Sequence, residues 1–264
     1  MKPYVLGIDI GGTNTVFGIV DARGNVIASS SIKTQKHANF EDYLEELYVE
    51  AQRLIELNDA VDKIQGIGIG APNANYYNGC IDNAVNLPWP SLPLAHLVSD
   101  KFGIPVAVTN DANAAALGEM TYGAARGLKD FIMITLGTGV GSGVVINGQV
   151  VYGHDGLAGE LGHVIIKRNN GRLCGCGRTG CLEAYCSATG VARTAREFLE
   201  ARSEPSLLRN MPIEDITSKD VYDAAMQGDR LAKDIFNFTG TLLGEAMADM
   251  MVFSSPEAFI LFGG

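Results

Sequence analysis

Apolar and small or polar residues alternate through positions 4–20, and the alternation breaks once, at Gly11-Gly12-Thr13-Asn14. Apolar β-branched residues on both sides of a glycine turn predict a strand, a tight turn and a second strand. Asp-Ala-Arg-Gly-Asn at 21–25 turns the chain again, into a third strand over 26–30. The period then lengthens. Phe40, Leu44, Leu47, Tyr48, Ala51, Leu54 and Ile55 fall on one face of a helix over 40–57, with Asn39 as cap and Glu41 and Asp42 in its first turn. A buried strand is expected over 64–69, followed by an Asn-rich loop to Trp89. Another strand, 105–109, delivers Asn110-Asp111 into a helix ending near Tyr122. A strand over 131–136, a glycine run over 137–143 and a strand over 144–147 then repeat the plan of the first hairpin. Beyond residue 183 the periodicity is helical, at about 187–202, 217–227 and 229–253, before a last strand over 257–262. Strands interleaved with helices, with a glycine-turn hairpin in each half, predict an internally duplicated α/β chain.

Composition narrows the class. A chain of 264 residues, 47% hydrophobic and 19% charged, can bury a sizeable core and divide into two lobes. Its 32 glycines suit close backbone approach to ligands better than a helical bundle. A net charge of −10 and a pI near 4.8 argue against a general nucleic-acid surface. The sequence holds no basic arm, no apolar run of membrane-spanning length and no signal peptide ahead of the first strand. The expected location is cytoplasmic, where thiols stay reduced.

The candidate chemistry is densest between Glu160 and Glu183, where His163, Cys174, Cys176 and Cys181 fall within nineteen residues. A loop with Gly171, Gly175, Gly177 and Gly180 can fold both thiolates of Cys-x-Cys towards one point. Three thiolates and an imidazole make a closed tetrahedral zinc site with no position for a reacting water, so the zinc is expected to be structural. Three cysteines interleaved with glycine would pack a core poorly, and nothing marks an exported, disulfide-bonded protein. Replacing His163 by Cys186 would give a Cys₄ site, but Cys181 and Cys186 lie five apart where a helix begins and point in different directions.

Each hairpin turn also offers backbone N–H groups to an anion. Asp9, at the end of the first strand, would set a carboxylate beside that anion, an arrangement that makes sense with Mg²⁺ between them. The second glycine run has Ser142 where G-x-G-x-x-G requires glycine and precedes a strand rather than a helix, which excludes a nicotinamide site. No P-loop motif is present. Asp111 stands at or beside a helix N-terminus, which keeps a carboxylate ionised and is also where an N-cap belongs.

G-E-L-G-H at 159–163 followed by C-G-C-G-R-T-G-C-L-E at 174–183 resembles the signature of the ROK family of bacterial sugar kinases and sugar-responsive repressors. N-D-A-N-A-A-A at 110–116 resembles that family's catalytic motif, and the resemblance spans the whole chain. It implies a two-lobed fold of the actin, Hsp70 and hexokinase type (ribonuclease H-like) carrying a structural zinc loop. The expected lobes are 1–110 and 111–264, with the loop at 160–183 and a family helix that returns to the first lobe absent after Gly264. The implied activity is ATP-dependent phosphorylation of a hexose, most similar to that of a glucokinase acting on the 6-hydroxyl. Asp111 would be the general base, with Asn110, Glu160, His163 and Glu183 on the sugar. Asn86 is added as a sugar contact, although the usual Pro-Gly near position 72 is here Pro-Asn. Asp9, Gly11, Gly12, Thr13, Asn14, Gly137, Thr138, Gly139, Gly141, Gly263 and Gly264 would hold ATP and its Mg²⁺. N-acetylhexosamine kinases share the motifs. So do the repressors, but they place a helix-turn-helix ahead of the domain, where this sequence has only a few residues. Family members are often dimers or tetramers, so a homo-oligomer is expected.

Overall fold

The structure, a computed structural model, describes residues 2–84 and 86–263. They form two compact units, Met1–Gly127 with Val150–Ala158, and Leu128–Gln149 with Gly159–Gly264. No helix among the described residues is long and apolar enough to cross a membrane.

In the first unit, β1 (Tyr4–Ile10), β2 (Asn14–Asp21) and β3 (Val26–Lys33) form the expected antiparallel meander, with Ile10 opposite Thr15 across the glycine turn. Helix α1 (Phe40–Leu57) starts where Asn39 accepts the Asp42 N–H. It leads to β4 (Ile64–Ala71), α2 (Leu94–Phe102), β5 (Val106–Asn110) and α3 (Asp111–Tyr122). The five strands lie in the order β3-β2-β1-β4-β5, with β1, β4 and β5 parallel. Register places Asp9 beside Gly70, and Gly70 beside Thr109, so these strands present their carboxyl ends together.

Burial explains the geometry. Leu6, Ile8, Ile10, Phe17, Ile19, Ile67 and Ile69 on the sheet pack against the apolar face of α1, on which Tyr43 is fully buried. Tyr43 Oη and Thr34 Oγ1 both hydrogen-bond Thr15 Oγ1, at 2.8 and 2.9 Å, which satisfies three buried hydroxyls directly behind the first glycine turn. The Trp89 ring lies 4.3 Å from that of Tyr43 and anchors the far end of the Asn-rich loop.

The second sheet, of order β8-β7-β6-β9, consists of β6 (Phe131–Leu136), β7 (Val140–Ile146), β9 (Ala258–Gly263) and the short β8 (Gln149–Val150), within which the unit boundary falls. β6 and β7 are antiparallel and β6 and β9 parallel, so the plan of β3-β2-β1-β4 recurs. The helices are the single turn α4 (Glu183–Cys186), α5 (Ala188–Ala201), α6 (Ser218–Met226) and α7 (Arg230–Ser254).

Three expectations differ from the structure. β7 begins at Val140, four residues before the expected 144, because Gly141 and Gly143 pair with Thr135 and Met133 of β6. α2 falls in a stretch with no predicted element. The unit boundary lies at 127/128 rather than 110/111, since α3 packs on β4 and β5 and residues 150–158 rejoin the first unit.

Candidate active site and metal cluster

The first unit supplies a glycine turn and two carboxylates. In the turn the Gly11 N–H donates to Asn14 O at 3.0 Å, while among the described residues no backbone hydrogen bond ties down the Gly12 or Thr13 amide. Thr13 and Asn14 are exposed. A Cβ on Gly12 would lie 3.0 Å from the Asn86 carbonyl oxygen, so Asn86 stands over this turn. Asp9 is the penultimate residue of β1, and burial, then the nearby charge of Asp111, raises its carboxyl above the usual carboxylate range. Asn110, not Asp111, is the cap of α3: its Oδ1 accepts the Ala112 N–H at 2.9 Å. Asp111 occupies the first helical position, with solvent-accessible surface but enough protein around the carboxyl that burial raises its pKa, against the lowering effect of the Ala112 amide. Asp111 Oδ1 accepts the same Ala112 N–H at 2.8 Å, so the two side chains share that amide at the start of α3.

In the second unit the β6–β7 turn repeats the first. Gly137 N–H donates to Gly139 O at 3.0 Å, and the Thr138 and Gly139 amides have no backbone hydrogen bond among the described residues. Two adjacent open amides at a hairpin apex are groups that could receive an anion. Gly141 lies inside β7 and gives its N–H to Thr135 Oγ1 at 3.1 Å, so that amide is engaged. Gly263 closes β9 opposite Leu136, and Gly264 lies outside the described residues.

Glu160 is exposed at the entry to a 3₁₀ turn, Leu161–His163. Ser142 Oγ bonds the Gly159 carbonyl and accepts the Leu161 N–H at 3.0 Å, so β7 holds the turn that carries Glu160 and His163. Position 142 drew notice in the sequence only as the break in a glycine pattern. Glu183 Oε2 accepts the Val140 N–H at 3.0 Å, and Oε1 lies 3.4 Å from Cys174 Sγ.

His163, Cys174, Cys176 and Cys181 converge as expected, with ligand atoms all within 4.8 Å of one another. His163 Nδ1 is 3.7 Å from Cys174 Sγ, and Cys176 Sγ is 3.7 Å from Cys181 Sγ. Those separations fit the edges of a tetrahedron of metal–sulfur and metal–nitrogen bonds about 2.0–2.3 Å long. Burial pushes the Cys174 thiol up to about 12 and raises Cys181, whereas around Cys176 the Arg178 amide and the two other thiols outweigh desolvation and lower it. Three thiolates could share this space only around a cation. Gly180 makes the loop possible, with φ 83° and a site where a Cβ would meet Lys167 O at 1.9 Å. Cys186 stands apart, buried, with Sγ 3.6 Å from Thr239 O, so it is a core residue.

Two sheets built on one plan, with an open-amide hairpin in each and a metal-binding loop in the second unit, define an ATPase fold of the actin and hexokinase type. The chain belongs to the ROK family, whose profile matches residues 5–264. It is similar to the glucokinase of Halalkalibacterium halodurans, 37% identical over 270 residues, covering 99% of this chain and 80% of that one. It is similar in structure to a ROK family glucokinase from Streptomyces griseus solved in complex with glucose and AMPPNP. That match has a TM-score of 0.82 at 35% identity and covers 99% of this chain and 83% of that one. A ROK family transcriptional regulator homologous to the E. coli MLC protein matches with a TM-score of 0.87 at 28% identity, covering 99% of this chain and 65% of that one.

Proposed function

We propose that the protein transfers the γ-phosphoryl group of ATP to the 6-hydroxyl of glucose, giving glucose 6-phosphate and ADP. The observation that carries this reading is Asp111: a carboxylate at the first position of α3, raised in basicity by burial, at the carboxyl ends of β1, β4 and β5. Binding alone needs no such group, and the similarity to glucokinases over the length of the chain favours glucose over an N-acetylhexosamine. The sugar O6–phosphorus bond forms as the bond from the γ-phosphorus to the bridging oxygen breaks. The hydroxyl proton passes to the Asp111 carboxylate, and ADP leaves with the electron pair. Asn110, Glu160, His163 and Glu183 hold the other sugar hydroxyls, with Asn86 at the edge. The open amides at Gly12, Thr13, Thr138 and Gly139 receive phosphate oxygens, which Gly11, Asn14 and Gly137 support as turn residues.

Asp9 would hold Mg²⁺, which supplies charge neutralisation at the phosphates. Zinc is the metal whose preferred ligands match one imidazole and three thiolates. With Nδ1 facing the cluster, Nε2 of His163 is left to face a sugar hydroxyl, its orientation fixed by the metal-bound nitrogen. Coupled measurement of ADP release with a panel of hexoses tests the proposal. The highest kcat/KM is expected for glucose, and no ADP with any hexose would overturn it in favour of a sugar-sensing regulator.

A further inference from the structure

The glycine-rich loop buries one full charge, Arg172, while its neighbours Arg168 and Arg178 stay exposed. A buried guanidinium is tolerated only when its donors are met. Here Nη1 donates to the carbonyls of Ala184 at 3.0 Å and Gly190 at 3.3 Å, and Nη2 to Thr194 Oγ1 at 2.9 Å and the Glu197 carboxylate at 2.6 Å. The cation lies 4.5 Å over the Tyr185 ring, and Tyr185 Oη accepts the backbone N–H of Arg172 itself at 2.9 Å. Every one of these partners belongs to α4 or α5. Ala184 and Tyr185 directly follow Glu183, so the fork pins the turn that aims the Glu183 carboxylate. On the loop side, Gly180 N–H donates to Arg172 O at 2.8 Å, and Cys174 is two residues away.

We propose that Arg172 is a positioning residue for the phosphorylation reaction, fixing Glu183 and Cys174 against α5 while touching neither sugar nor nucleotide. The proposal rests on the activity inferred above. A lysine keeps the charge but has no planar fork to span Ala184, Gly190 and Thr194 at once. Full-length Arg172→Lys is therefore expected to raise the KM for glucose about tenfold while leaving the KM for ATP within about twofold. Zinc release to a colorimetric chelator should also be faster than from wild type. In a double-mutant cycle with Glu183→Gln, the lysine change should lose most of its effect, because its target has been removed. Additive effects, equal changes in both KM values, or a lowered Tm with wild-type kinetics would each overturn the proposal. If Arg172→Lys does not fold, Thr194→Val, which deletes one partner of the fork, is read by the same criteria. If wild-type protein makes no ADP with glucose, the activity reading falls by itself. Arg172 is then judged on metal release, where a wild-type rate in the variant overturns it.

Discussion

Asp111 and Asp9 are two carboxylates that folding holds in unfavourable surroundings, and for both burial is the larger cause of the raised pKa. The folded chain binds the Asp111 proton more tightly than the unfolded chain does. The stabilisation from the protonated form is complete below the unfolded value of about 3.8 and is lost as pH rises through the raised folded value. At neutral pH the ionised carboxylate therefore costs stability. Asp111→Asn should melt no lower than wild type at pH 7, with the difference vanishing near pH 3, because Asn110 keeps the cap. The same variant should lose ~10²–10⁴-fold in kcat, the usual worth of a general base, while calorimetry still detects glucose binding. A variant retaining more than about a tenth of wild-type kcat would place the base elsewhere. In wild type the acid limb of kcat/KM should lie above pH 3.8, the ordinary aspartate value, and a limb at or below it would contradict the shift.

At the scale of elements, the loop from Glu160 to Glu183 carries the metal-ligating cluster, and the proposed function places sugar ligands in the same short segment. Cys176→Ser is expected to abolish stoichiometric zinc in protein purified without added metal, and Cys186→Ser to leave about one equivalent. Elemental analysis decides between them, and the reverse pattern would revive a Cys₄ site. Cys186, its thiol pushed up to about 12 by burial, should then show only a modest loss of Tm. Gly180→Ala confronts both a left-handed backbone and the Lys167 carbonyl. Its expected cost is about 2–4 kcal/mol, from disfavoured φ and overpacking together, read as a lowered chemical-denaturation midpoint. An unchanged midpoint would mean that the loop rearranges freely.

For the molecule as a whole, the proposed function has the metal and the sugar share His163, with no part for the metal in phosphoryl transfer. Removing zinc with a chelator should lower Tm and raise the KM for glucose more than the KM for ATP, and restoring zinc should reverse both. Equal loss of affinity for both substrates, or none, would separate the cluster from the sugar site. The duplication of the β-hairpin plan has a matching logic. Each unit carries one pair of amides without a backbone hydrogen bond among the described residues, Gly12 with Thr13 and Thr138 with Gly139.

Much of this was readable from local pattern. Helix α1 ends where its periodicity ends, both hairpins follow their glycine turns, and the Cys₃His group assembles from residues close in sequence. Short-range periodicity and short loops leave few alternatives, which is why those readings hold. Helix α2 has a standard stop in Gly103, at φ 68°, but Pro93 and a length of nine residues give it a weak start in the sequence. Glycine's low strand propensity hid the first half of β7, which exists because β6 offers it a ladder. Tyr43 behind the first glycine turn, Ser142 under Glu160 and the fork of Arg172 depend on partners 12 to 28 positions away. A polar residue in a sequence carries no mark of whether it will be solvated or buried. Only packing, by excluding water and demanding a partner for each donor, turned these side chains into the supports of the site.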